Sequence, residues 1–244
     1  MDIYSRIKEK SEQGKKQLAV LVDPDKHKVS DFLPLASKLS SYPIDYFLIG
    51  GSLLSKDLLD ECLLAFKEVC NIPLIIFPGG VMQINPKADA LLFLSLISGR
   101  NAELLIGKQV ESVPYILHAN IEPISTGYIL VDGGSMTTAQ YISNTLPVPA
   151  NKPDIAALTA KAGEMIGMKM IYLDAGSGAK NSVSKEMICK VRAITDLPLM
   201  VGGGIRSAEA IQEKIDAGAD LVVIGTAIEN DLAFLDQIKT IFNK

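Results

Sequence analysis

The sequence predicts a single closed barrel of eight parallel β-strands with helices outside, and three observations carry that reading. Eight short apolar runs recur along the chain, each nearly continuous in hydrophobicity rather than alternating, as in strands buried on both faces. Helical patterns stand between most of them, and alternating strand and helix builds a parallel sheet. The 244 residues match the roughly 250 of a typical (β/α)8 barrel, and an apolar content of 48% is enough to fill its core. Eight strands in a chain of this length favour closure over an open doubly wound sheet. Residues 1–244 are therefore read as one domain.

The elements follow in order. LAVLVD (18–23) is the first strand, with a helical pattern over 29–40. DYFLIGG (45–51) is the second, with a helix over 56–70. PLIIFPG (73–79) and ALLFLSL (90–96) are the third and fourth, and only VMQINPKA and its flanks lie between them. Pro86 and the short length leave no room for an outer helix there. Either the loop is merely trimmed, or the helical ring has a gap against which something long and apolar could lie. Residues 99–117 read as the fourth helix, broken near Pro114. GYILVDG (127–133) is followed by a Pro-rich connector at 147–153 and a helix over 152–168. MIYLDAG (170–176), LPLMVGG (197–203) and DLVVIGT (220–226) carry helices over 184–194, 207–218 and 230–242. Several of these open on a Ser or Asp cap and close near a Gly.

Composition removes several function classes. The net charge is −4 with no basic run, so nucleic-acid binding has no electrostatic footprint. Cys62, Cys70 and Cys189 are too scattered for a disulfide framework or a zinc site. The charged N-terminal stretch has no apolar run of the signal-peptide kind, and no run is long enough to span a bilayer. A cytoplasmic protein is the expectation.

In a barrel, the loops after the strands form the active face. GGGIRS (202–207) and IGTAI (224–228) each follow a strand and open a helix. Glycines there let the backbone approach an anion, which points to phosphate binding at Gly203, Gly204, Gly225 and Thr226. Glycines that merely serve the turn are the plain alternative. YLDAGSGA (172–179) offers Gly176 and Gly178 for close approach, Ser177 as a donor and Asp174 as an acceptor for hydroxyls. Tyr172 faces either substrate or core. VDPDKHK (22–28) sets Asp23 and Asp25 beside Lys26, and carboxylates are the usual Mg²⁺ ligands. An Asp-Pro turn with a solvated tail is the other reading, above all for Asp25 and Lys26. Ser52, in IGGSLLS (49–55), either caps the next helix or ligates a metal. His27 and His118 pair with no nucleophile and are read as structural. No lysine at a strand end suits a Schiff base.

Taken in order, LVDPDK, FLIGGS, IIFPGG, YLDAGSG, VGGGIR and VIGTA resemble the geranylgeranylglyceryl phosphate synthase family, with its bacterial heptaprenylglyceryl phosphate synthase relatives. The resemblance spans almost the whole chain. It implies a Mg²⁺-dependent prenyltransferase joining sn-glycerol 1-phosphate to a polyprenyl diphosphate, geranylgeranyl diphosphate above all, through an ether. Residue by residue, Asp23 and Ser52 match the metal positions. Tyr172, Leu173, Asp174, Ala175, Gly176, Ser177, Gly178, Gly203, Gly204, Gly225 and Thr226 match the glycerol phosphate site. Asp23 and Asp174 would be catalytic. An irregular segment in place of the third outer helix is implied, beside an apolar groove. A homo-oligomer, dimer or hexamer, and peripheral contact with a membrane are implied too, and the apolar helix at 56–70 would suit an interface. Two departures stand out: archaeal relatives often carry Glu at the place of Asp174, and Thr or Ser alternates at position 52. Two other functions share the glycine loops: an isomerase or lyase of phosphorylated sugars, and a non-catalytic phosphometabolite binder. Neither needs Mg²⁺ or an apolar groove.

Overall fold

The computed structural model describes residues 2–242. Eight parallel strands pair in sequence order and close, β8 returning to β1. They are β1 (Gln17–Val22), β2 (Tyr46–Gly50), β3 (Leu74–Phe77), β4 (Ala90–Leu96), β5 (Glu122–Leu130), β6 (Met170–Asp174), β7 (Leu199–Gly202) and β8 (Leu221–Ile224). Successive side chains alternate between two cores. Leu18, Val20, Phe47 and Ile49 pack outward against the helices, while Ala19, Tyr46 and Leu48 fill the barrel interior. Both faces are buried, which is why the strands read as unbroken apolar runs.

The helices are α1 (Ile3–Glu12), α2 (Val29–Leu39), α3 (Leu59–Val69), α4 (Lys108–Ala119), α5 (Thr138–Ser143), α6 (Pro153–Met165), α7 (Lys185–Arg192), α8 (Ala208–Asp216), α9 (Thr226–Asn230) and α10 (Phe234–Phe242). Between β3 and β4 there is only a 3-10 turn, Val81–Gln83, so the third outer helix is missing. α1 closes the bottom of the barrel. Its first amides, on Ile3 and Tyr4, donate to Glu122 at 2.6 and 2.9 Å, and Ile7 is fully buried in the interior core. Gln17 donates to the Ile7 carbonyl and accepts from the Tyr46 hydroxyl.

Two sequence readings change. β5 starts at Glu122, five residues before the apolar run at 127, because the EPISTG stretch (122–127) pairs with β4 from Ala90 onward. Pro114 does not break its helix: α4 runs through it to Asn120, which closes the helix at φ 53°. The irregularity instead comes earlier, as a π-turn at Glu103–Gly107. The apolar face of α3 is spent on the core through Leu59, Cys62, Leu63 and Phe66, leaving only Leu64 half-exposed.

Candidate active site

The loops after β6, β7 and β8 meet at the top of the barrel. Asp174 pairs with Gly202 at the last register of β6 and β7, which brings the following loops together. Gly203 has φ 81°, in the left-handed region. A methyl group there would stand 2.5 Å from the Gly176 amide nitrogen and 2.7 Å from the Asp174 Oδ1. The β7 loop thus lies directly on the β6 loop, and only glycine fits. Across the gap, Ser177 Oγ lies 3.3 Å from Thr226 Oγ1, so two hydroxyls 49 residues apart converge. Arg206 pins the loop after β6 to that after β7, donating to the Ala179 and Lys180 carbonyls.

Asp174 is buried, with both oxygens engaged. Oδ1 accepts from the Gly176 amide and Oδ2 from the Tyr128 hydroxyl, each at 2.7 Å. Burial pushes its carboxyl up, and the two hydrogen bonds only partly oppose that. Burial also pushes the Tyr128 and Tyr172 phenols well up, reinforced by the Asp174 charge. Phe77, Tyr128 and Tyr172 form an aromatic triangle with centroids 5.4 to 6.0 Å apart. The Tyr172 hydroxyl has no hydrogen-bond partner among the described residues, and Tyr172 lines the cavity.

Asp23, at the end of β1, is half-buried and accepts from the Asp25 amide at 3.1 Å. Burial pushes its carboxyl up, opposed by that amide and by Lys26. A methyl on Gly51 would meet the Asp23 carboxylate at 3.6 Å, so the β1 and β2 loops touch, with Ser52 next in line. Ser52 does not cap α3, which begins at Leu59 with Leu58 before it. Asp25 serves structure. It accepts from the Ser55 amide and hydroxyl and from the Lys56 amide, which fixes the loop after β2. Lys26 Nζ bonds Glu229 at 2.7 Å and stands 4.0 Å from Asp23.

Asp23, Lys26, Ser52, Tyr172, Asp174 and the glycine loops line a polar cavity of about 450 Å³. A second, apolar cavity of about 170 Å³ runs along the barrel side where the third outer helix is missing, between Gly79–Val81, Leu91, Phe93, Leu104 and Ile142. Ser52, Phe77 and Ala139 line both, so the two spaces adjoin. The cavity wall includes Asp23, Ser52, Tyr172, Asp174, Ser177, Gly178, Gly203, Gly204, Gly225 and Thr226. Leu173, Ala175 and Gly176 lie off it. Leu173 and Ala175 pack into the outer core, and Gly176 abuts Thr137.

A family model describing the PcrB family matches residues 10–243. The chain belongs to the PcrB family. Among PcrB relatives, a protein of Chitinophaga pinensis named geranylgeranylglyceryl phosphate synthase is 48% identical over 97% of this chain and 94% of its own length. One of Pyrococcus furiosus with the same name is 41% identical over 86% of this chain and 84% of its own. Among solved structures, (S)-3-O-geranylgeranylglyceryl phosphate synthase from Thermoplasma acidophilum, in complex with substrate sn-glycerol-1-phosphate, superposes with a TM-score of 0.91. It is 30% identical, over 99% of this chain and 97% of that one.

Four cavity features were not singled out in the sequence: Tyr128, Phe77, Arg206 and Glu229. A signal existed for Tyr128, which pairs with Tyr172 across β5 and β6. Glu229 lies one helical turn beyond Thr226 on α9, which is visible only once that helix is recognised.

Proposed function

We propose that this chain transfers a polyprenyl group, geranylgeranyl in the first instance, from its diphosphate to the 3-hydroxyl of sn-glycerol 1-phosphate. The observation that carries this is a polar, glycine-rich cavity adjoining an apolar groove at Ser52 and Phe77. A phosphosugar isomerase has no use for the groove, and a glycerol phosphate binder has none either. The glycerol phosphate sits against Ser177, Thr226, Gly203 and Gly204, and the prenyl chain runs along the barrel side.

In the reaction, the glycerol oxygen bonds to the allylic C1, the C1–O bond to diphosphate breaks, and diphosphate leaves with the bonding pair. Much of the rate comes from holding the hydroxyl at C1, since fixed geometry replaces a bimolecular encounter. Asp174 orients the glycerol hydroxyls. Each of its oxygens has one donor from the protein and a lone pair left for a substrate hydroxyl. Burial raises its carboxyl, which suits it to take the hydroxyl proton as the ether forms. Tyr172 turns its unpartnered hydroxyl to the same substrate.

The residues fit a Mg²⁺ ion held by Asp23 and Ser52. The described residues contain no cluster of three or more metal-ligating side chains. Mg²⁺ does not require one, because it commonly binds through one or two carboxylates plus substrate phosphates. The ion would supply Lewis-acid neutralisation of the departing diphosphate.

A second copy of the chain is proposed to cover the exposed Val110, Val113 and Leu117 of α4, together with Ile106 in the π-turn that precedes it. Light scattering tests this, and a monomer refutes it. No helix among the described residues is long and apolar enough to cross a membrane. A lipid product implies peripheral contact with a bilayer.

The test of the activity is turnover with sn-glycerol 1-phosphate, Mg²⁺ and a series of polyprenyl diphosphates, with sn-glycerol 3-phosphate as control. Ether product that depends on Mg²⁺ and on the 1-phosphate is the expected result. Glycerol phosphate binding without product at any chain length would refute the proposal.

A further inference from the structure

We propose that Lys26 is the side chain that receives the leaving diphosphate, exchanging Glu229 for it as its anionic partner. This rests on the prenyl-transfer reading above. Lys26 ends the short turn after β1, and its ammonium lies 2.7 Å from Glu229 and 4.0 Å from Asp23. The ion pair with Glu229 spans 203 residues and joins the first barrel loop to the last. Glu229 stands one turn beyond Thr226, whose hydroxyl meets Ser177 at 3.3 Å. The ammonium therefore stands between Asp23 and Glu229, at the wall of the cavity that Ser177 and Thr226 also line.

Charge makes the case sharper. The cavity wall carries the carboxylates Asp23, Asp174, Glu229 and Asp231 against two cations, Lys26 and Arg206. A wall with that balance repels two polyanionic substrates unless a cation is presented to them. The Arg206 guanidinium is committed to the Ala179 and Lys180 carbonyls. Lys26 is held only by carboxylates, keeps 41% of its side chain exposed, and carries its charge on a flexible stem with three donors. It can turn from Glu229 to an arriving phosphate without disturbing the fold. As the C1–O bond breaks, negative charge gathers on the diphosphate, and the ammonium donates hydrogen bonds to it. No proton need move.

The test compares Lys26→Met, Lys26→Arg and Glu229→Gln. Lys26→Met should raise KM for geranylgeranyl diphosphate on the order of tenfold to a hundredfold, the worth of one charge-assisted hydrogen bond. KM for sn-glycerol 1-phosphate should hardly move, and Lys26→Arg should recover most of the loss. Calorimetric titration with Mg²⁺ and inorganic pyrophosphate reads the same contact without turnover. Binding should weaken in Lys26→Met and tighten in Glu229→Gln, where the competing charge is gone. Unchanged pyrophosphate affinity in Lys26→Met, or an equal rise in both KM values, would overturn the role of Lys26. Weaker or unchanged binding in Glu229→Gln would overturn the exchange. Should the parent protein yield no ether at all, the reaction is refuted, while the pyrophosphate titration still decides whether Lys26 is an anion-binding cation.

Discussion

Replacing Tyr128 by Phe removes one hydroxyl and leaves the ring in its aromatic triangle. That hydroxyl donates to Asp174 Oδ2 at 2.7 Å, and both residues are less than a tenth exposed. A hydrogen bond to a charged acceptor contributes about 1.5–3 kcal/mol. Asp174 keeps the Gly176 amide on its other oxygen, so the expected destabilisation at pH 8 is about 2 kcal/mol, near the lower part of that range. The pH dependence has a definite sign. Burial has already raised the Asp174 carboxyl above its ordinary value, and the Tyr128 bond opposes that rise. A raised acid carries stability that is present below its unfolded pKa and lost as pH climbs through its folded pKa. The variant raises the folded pKa further, so it loses more over the climb. The gap between parent and variant is widest at pH 8 and narrows as pH falls through the folded pKa of Asp174, since the bond to a protonated acceptor is of the weaker neutral kind. Urea unfolding on either side of that pKa measures it, with the slope unchanged and the midpoint shifted. An equal shift at both would mean that the hydroxyl does not serve the carboxylate, and no shift would remove the bond altogether.

Asp23→Asn should lower turnover on the order of a thousandfold, the effect of losing a metal-held Lewis acid, while calorimetry finds glycerol phosphate binding largely intact; equal loss of both would sink the assignment. Gly203→Ala should cost about 2–5 kcal/mol, summing the left-handed backbone penalty and the collision with Gly176, with a raised KM for glycerol phosphate. A variant as stable as the parent in denaturant would show that the two loops are not packed as described. Cys62 is fully buried and its thiol is pushed up to about 12, whereas Cys189 is exposed. Iodoacetamide at pH 8 followed by peptide mapping should find Cys189 alkylated and Cys62 untouched until denaturant is added.

The strands were legible because both faces of each are buried, so Leu18 to Val22 and Met170 to Asp174 carry no polar interruption until the loop begins. β5 was half hidden for the converse reason. Its first residues include Glu122, which is there to cap α1 and not to fill the core. The short third unit was legible by its length, and its role became clear only when the cavity beside it proved apolar. Of the site, the residues that announce themselves are glycines and strand-end carboxylates. Glu229 escapes, and Lys26 is noticed beside Asp23 without its partner, because their pairing spans 203 positions, which no local pattern encodes. Tyr128 escapes because a tyrosine in an apolar run looks like core, and most of it is.

The helix that stoppers the lower end of the barrel has a consequence for traffic. With Ile7 seated among Tyr46, Leu48 and Met170, nothing passes along the barrel axis. Two reactants and two products then share the upper rim, one of them a molecule with a charged head and a long greasy tail. The tail can leave only sideways, along the face that the absent helix left open, and the head must follow it. Departure is therefore a retreat through the same doorway that the next prenyl donor needs. Product departure and donor entry therefore compete for one opening along the barrel side.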